Sequence, residues 1–84
     1  MTENELRDYL LENGYEDTVI FTNPSYSKAF IGVSTDGRAI YDYYKMVQCL
    51  VDNDGMTDEE AIEWIEFNCV NCYIEHGPII IYPL

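Results

Sequence analysis

The stretch 52–66, DNDGMTDEEAIEWIE, carries seven carboxylates in fifteen residues and no Lys or Arg. Within it, Thr57-Asp58-Glu59-Glu60 has the form of a capping box: a hydroxyl placed to accept from the amide three residues on, and a glutamate placed to reach back. Three acids in the first turn also complement the partial positive charge of a helix N-terminus. The pattern predicts a helix from Asp58 to about Tyr73, and the remaining segments must form a scaffold that presents it. Ile62, Ile65, Cys69 and Cys72 are expected to make its inward stripe, with Ala61 beside it. Glu59, Glu63 and Glu66 make an outward acidic stripe at i, i+4 and i+7. Trp64, the one tryptophan, falls at the boundary between core and surface.

The other segments read as short elements. Thr2-Glu3-Asn4-Glu5 is another capping box, opening a helix over about 3–13 in which Leu6, Tyr9 and Leu10 face inward and Gly14 supplies the stop. The β-branched and aromatic run 18–22, TVIFT, predicts a strand ended by Asn23-Pro24-Ser25. Two further runs, 28–34 and 38–42, flank Thr35-Asp36-Gly37, a hairpin signal because Asp-Gly tolerates positive φ at both positions. Ala29, Ile31 and Val33 alternate as the apolar face of the first run. Asp42 is placed to cap a helix over 43–52, with Tyr43, Met46, Val47, Leu50 and Val51 inward. Ile79-Ile80-Ile81-Tyr82 forms a last strand after Gly77-Pro78. The expectation is a single α+β domain over residues 1–84, in the order αβββααβ. A three-stranded antiparallel meander plus the C-terminal strand would be covered on one face by three helices.

Composition narrows the class. An apolar content of 48% with 14% aromatics is too high for a disordered acidic tail. No run approaches the roughly 18 apolar residues of a membrane span, and no basic-then-apolar leader opens the chain. Three cysteines do not close a disulfide framework, so a reducing cytoplasm is expected. Sixteen acids face four bases, for a net charge of −12. All four bases (Arg7, Lys28, Arg38 and Lys45) lie before residue 46, and eight acids follow without one. Nucleic acid and anionic membrane are repelled by such a surface, whereas a basic protein surface is attracted. Solubility alone is the simpler explanation of the same charge.

Chemical motifs are weak. Cys69, Cys72, His76 and Cys49 would suit zinc by type. However, Cys69 and Cys72 share the stripe of Ile62 and Ile65, and Cys49 lies on another helix, so buried core cysteines are the better reading. The CxxC falls near a helix end, unlike a redox motif that precedes a helix. Asp52-Asn53-Asp54-Gly55 fails as a calcium loop, because the register puts Leu50 first and Ala61 twelfth. His76 is the one histidine, and neither Ser25, Ser27 nor Ser34 sits in a nucleophile motif. No catalytic residue, metal or cofactor is expected, and the chain reads as a non-enzyme. Of eight tyrosines, Tyr9, Tyr41 and Tyr43 are expected to fill the core. Some of Tyr15, Tyr26, Tyr44, Tyr73 and Tyr82 are expected at the surface, where tyrosine favours interfaces.

Three strings, VSTDGRAIYDY over 33–43, GMTDEEAIEWIE over 55–66 and GPIIIY over 77–82, carry a resemblance that covers about residues 30–84. Together they resemble small acidic proteins encoded by phages and prophages of Gram-positive bacteria, the kind that includes anti-CRISPR proteins. The resemblance implies an inhibitor acting in the bacterial host cytoplasm, and a DNA mimic on a CRISPR nuclease as its specific form. The partner would be a basic nucleic-acid-binding nuclease. Glu59, Glu63 and Glu66 would make the main contacts, with Asp52, Asp54, Asp58 and Glu60 as the flanking field. Carboxylates on one helix face recur at about 5–6 Å, near the spacing of successive phosphates. The alternative is a self-associating assembly module of a phage or mobile element, a homodimer included, that pairs through tyrosines and a sheet edge.

Overall fold

The computed structural model describes residues 1–70 and 75–84. Thr2 caps α1 (Glu3–Glu12): its hydroxyl accepts from the Glu5 amide at 3.2 Å, and the Glu5 carboxylate accepts from the Thr2 amide at 2.8 Å. Leu6 and Leu10 are buried. Tyr9, expected inside, is 47% exposed, because a short helix that buries one i, i+4 row leaves the adjacent position on its flank. Its ring still meets Phe30 edge-on at 6.4 Å.

The strand expected at 18–22 does not form. The Phe21 amide donates to the Tyr41 hydroxyl and the Thr18 hydroxyl to the Gly37 carbonyl, each at 3.2 Å. The Phe21 ring lies 5.5 Å from Tyr26 and 4.8 Å from Tyr41 between centroids. Aromatic docking and side-chain hydrogen bonds thus replace the ladder that β propensity alone would favour. A single 3₁₀ turn, Ser27–Ala29, follows and is tied to the N-terminus by the Ser27 hydroxyl donating to the Met1 carbonyl at 2.8 Å.

The hairpin forms as expected, with β1 (Phe30–Val33) antiparallel to β2 (Ala39–Asp42). Its tip is closed by the Ser34 amide on the Arg38 carbonyl and the Gly37 amide on the Ser34 carbonyl. Only Gly37 of the Asp-Gly pair takes a positive φ, 84°. The register shifts between Phe30 and Gly32, so the expected alternation breaks and Ile31 points out, 51% exposed.

Asp42 caps α2 (Tyr43–Asp54) by accepting from the Lys45 amide at 3.2 Å, and Gly55 ends it at φ 67°. Tyr43, Met46, Cys49 and Leu50 are buried, and Val47 and Val51 pack partly buried beside them. They meet Tyr26, Ala29, Ala39 and Tyr41, together with Ala61 and Ile65 of the following helix α3 (Asp58–Ile65). The chain returns as β3 (Ile79–Ile81), which pairs with β2 in parallel, Tyr41 opposite Ile80. A parallel return requires a crossover, and α2 and α3 supply it. The class is therefore α+β, with a three-stranded mixed sheet in the order β1-β2-β3 instead of the expected four-stranded arrangement. The Arg38 guanidinium donates to the Gly77 carbonyl at 2.8 Å, which fixes the entry to β3 beside the hairpin tip. No described helix is long and apolar enough to cross a membrane.

Candidate acidic and aromatic interface

The acidic helix α3 is capped as its sequence demands. Thr57 accepts from the Glu60 amide at 3.2 Å, and Glu60 accepts from the Thr57 amide at 3.0 Å. These bonds to Thr57 hold the Glu60 carboxyl below its ordinary range. α3 does not continue as α-helix to Tyr73. It passes at Glu66 into a π-helical segment, Glu66–Val70, while residues 71–73 of the expected helix lie outside the described residues. In that wider turn, Cys69 stays half-buried and its thiol donates toward the Tyr26 hydroxyl at 3.8 Å. Burial pushes the Tyr26 hydroxyl up, and Cys69 adds to the shift.

Ala61 and Ile65 are fully buried, as expected of the inward stripe, and Cys72 lies outside the described residues. Ile62 departs from expectation, at 40% exposed. α3 rests on α2 through the single row Ala61–Ile65, so the next position around the helix turns outward. Trp64 is likewise 40% exposed and Phe67 78%. Trp64 and Phe67, three apart, therefore share one exposed face of α3 and its π-helical extension, and Ile62 emerges on the opposite flank of the buried row.

The seven carboxylates divide by partner and by place. Glu59, Glu63, Asp54 and Asp58 are exposed and make no hydrogen bond or ion pair among the described residues. Glu60 is engaged in the cap. Asp52 accepts from the Gln48 side-chain amide at 2.8 Å. Glu66 is half-buried and accepts from the Tyr43 hydroxyl at 3.0 Å. Glu60, Glu63 and Glu66 line one open depression of about 840 Å³ together with Met56, Ile62, Trp64, Phe67 and Asn68. Asp52 instead lines a depression that holds Lys28 and Lys45, and Asp54 one beside the N-terminal residues Met1, Thr2 and Glu3. The fold thus gathers the acids of α3 and separates Asp52 and Asp54 from them. Trp64 lies at the expected boundary of core and surface, and Phe67, three residues on and beyond the buried row, is the exposed aromatic that the acidic pattern alone does not reveal.

A second cluster adjoins the first. Tyr43 lies 5.8 Å from Tyr44 and 4.8 Å from Tyr82 between ring centroids, and Tyr44 lies 6.1 Å from Tyr82. Tyr44 and Tyr82 are more than half exposed, as expected of surface tyrosines, whereas Tyr26 is buried and Tyr73 lies outside the described residues. Burial, reinforced by Glu66, pushes the Tyr43 hydroxyl up to about 12.

Of the zinc-type residues, Cys49 is buried with its thiol pushed up by that burial. His76 is exposed next to Glu75, at 3.7 Å. Among the described residues no three metal-ligating side chains come together. Compared with protein-family models, with curated proteins and with solved structures, the chain matches none.

Proposed function

We propose that this chain is a non-enzymatic binding module. Its acidic α3 face engages a basic surface of a nucleic-acid-handling protein in a bacterial cytoplasm. The specific form implied by the phage-protein resemblance is an anti-CRISPR inhibitor that occupies the DNA groove of a CRISPR nuclease. The observation that carries this reading is the row Glu59, Glu63 and Glu66 along one helix face. Glu59 and Glu63 are free of partners among the described residues, and no Lys or Arg lines the depression beside them. Such a row offers carboxylates to Arg side chains, which form charge-assisted and often bidentate hydrogen bonds. Asp58 and Glu60 extend the same field, while Asp52 and Asp54 contribute only at longer range, where salt screens them. The experiment is capture on the immobilised protein from a Gram-positive lysate, eluting with duplex DNA before high salt. A nuclease released by DNA supports the reading. A retained partner indifferent to DNA leaves a binding module and discards DNA mimicry.

A second reading is favoured by one observation. β3 is an edge strand, and residues 77–84 carry no charge while Ile81 and Tyr82 are exposed. Self-association at that edge would yield oligomers insensitive to salt, which sedimentation at low and high ionic strength distinguishes from a salt-labile complex.

A further inference from the structure

The depression on α3 combines two chemistries that a purely cationic partner would not satisfy. Ile62, Trp64 and Phe67 offer apolar surface, with Phe67 78% exposed, and Glu60, Glu63 and Glu66 line the same depression. Trp64 and Phe67 share one face and stand about 4.5 Å apart along the helix axis, with Glu60 and Glu63 beside them. Against a groove lined only with Arg and Lys heads, Phe67 would gain no apolar neighbour. Against an apolar peptide, Glu63 would gain no cation. A second copy of the chain is disfavoured as occupant, since it brings a net charge of −12 toward these carboxylates.

We infer that the depression docks a basic amphipathic helix of the partner. Apolar residues one turn apart in that helix cover Trp64 and Phe67, and Lys or Arg beside them pair with Glu60 and Glu63, which share their face. This rests on the reading above that the α3 face meets a basic protein, and it names the element of that protein which is held. Helix-in-groove docking reads anchors at i, i+3, i+4 and i+7 and gains specificity from the flanking charges.

The test uses the full chain and two synthetic peptides of identical Lys and Leu composition, without Trp or Tyr. One has leucines at helical spacing, and the other is scrambled to remove the apolar face. Trp64 is the single tryptophan, so its emission reports on the groove directly. Calorimetry on the native chain, Phe67→Ser and Glu63→Gln, each checked for fold by circular dichroism, gives the affinities. The amphipathic peptide is expected to bind at least about tenfold tighter than the scrambled one and to shift Trp64 emission to the blue. Phe67→Ser is expected to abolish the preference, and Glu63→Gln to weaken both peptides. Equal binding of the two peptides, or a preference that survives Phe67→Ser, overturns the inference and leaves the basic-partner reading standing. Binding that is unmoved by Glu63→Gln removes the ionic half and overturns it as well. Failure of both peptides to bind at low salt sinks the basic-partner reading, and the inference falls with it.

Discussion

The Tyr43 hydroxyl donates a 3.0 Å hydrogen bond to the Glu66 carboxylate and so ties the first residue of α2 to the end of the acidic helix. Tyr43 is buried and Glu66 half-buried, so this is a polar link between the core and the proposed binding face. Tyr43→Phe keeps the ring and its contacts with Tyr44 and Tyr82 and deletes only the donor. Hydrogen bonds to charged groups contribute about 1.5–3 kcal/mol, and partial exposure of Glu66 reduces that, so a loss of about 1 kcal/mol is expected. Urea unfolding at neutral pH, with an unchanged denaturant slope, measures it.

The same pair gives a pH signature. The Tyr43 hydroxyl is raised from 10.0 to about 12, through burial first and Glu66 second. A group whose folded pKa is raised supports the fold in its protonated form. Its contribution is complete below pH 10 and is lost as pH climbs through 12, where the folded chain must also ionise. Burial raises Tyr26 and Tyr41 in the same direction, so the native chain should lose stability progressively above pH 10. Tyr43→Phe should show a shallower decline over that window. An identical decline in the variant would remove Tyr43 from the account.

Gly37 sits at φ 84° at the hairpin tip, and a Cβ added there would meet nothing within 4 Å. The expected penalty of Gly37→Ala is therefore conformational alone, about 1 kcal/mol. Incorporation of D-alanine at the same position by chemical synthesis should restore the loss, since its mirror-image preference matches the backbone. Thermal midpoints of the three chains decide the matter, and a D-alanine chain as weak as the L-alanine one would point to an undetected clash.

How far the sequence disclosed this structure follows from the range of the interactions involved. Both capping boxes, the Asp42 cap and the Gly55 stop are written in adjacent residues, and each appears where local chemistry puts it. Residues 18–22 form no strand despite their β propensity, because their outcome depends on Tyr41, some twenty positions away, whose hydroxyl takes the Phe21 amide. Parallel pairing of Ile80 with Tyr41 is equally non-local, and an apolar run does not state its direction. In the candidate site the acidic row was legible from spacing. The outward turn of Ile62 was not, because it depends on which row of α3 rests against α2. Likewise, Glu66 reads as one more solvated acid until Tyr43 is found beside it.

Thr57→Ala removes the hydroxyl that accepts from the Glu60 amide and leaves the first turn of α3 with an orphan donor. Loss of such a cap costs about 1 kcal/mol. The Glu60 carboxyl, held below its ordinary 4.5 by bonds to Thr57, supports the fold above that pH and loses its effect as pH falls through its folded value. Thr57→Ala keeps the amide that donates to the Glu60 carboxylate and loses only the hydroxyl that accepts from the Glu60 amide, so both chains should lose stability in acid while the gap between them persists. Urea midpoints at pH 7 and in acid check this, and a gap that closes in acid would show that the hydroxyl acts through the Glu60 carboxylate and not through its amide.

Glu59 and Glu63 stand one turn apart on an exposed face with no cation paired to either among the described residues. Like charges at i, i+4 oppose the helix by about 0.2–0.5 kcal/mol per pair. Neutralising Glu63 relieves this pair and leaves Glu59 in the first turn to complement the helix dipole, so Glu63→Gln is expected to be more stable than the native chain at low ionic strength by a few tenths of a kcal/mol. The advantage should vanish near 1 M salt, where the Debye length falls to about 3 Å. Glu66 is left intact in this variant because its carboxylate also holds Tyr43, and altering it would mix a folding effect with a binding effect. If the α3 face serves a basic partner, the variant that folds better should bind worse, and both effects should fade over the same range of salt. Denaturant midpoints and binding isotherms across a salt series test the pair of expectations together. A variant that gains stability and keeps its affinity would show that the acidic row is solvated surface and move the binding site elsewhere.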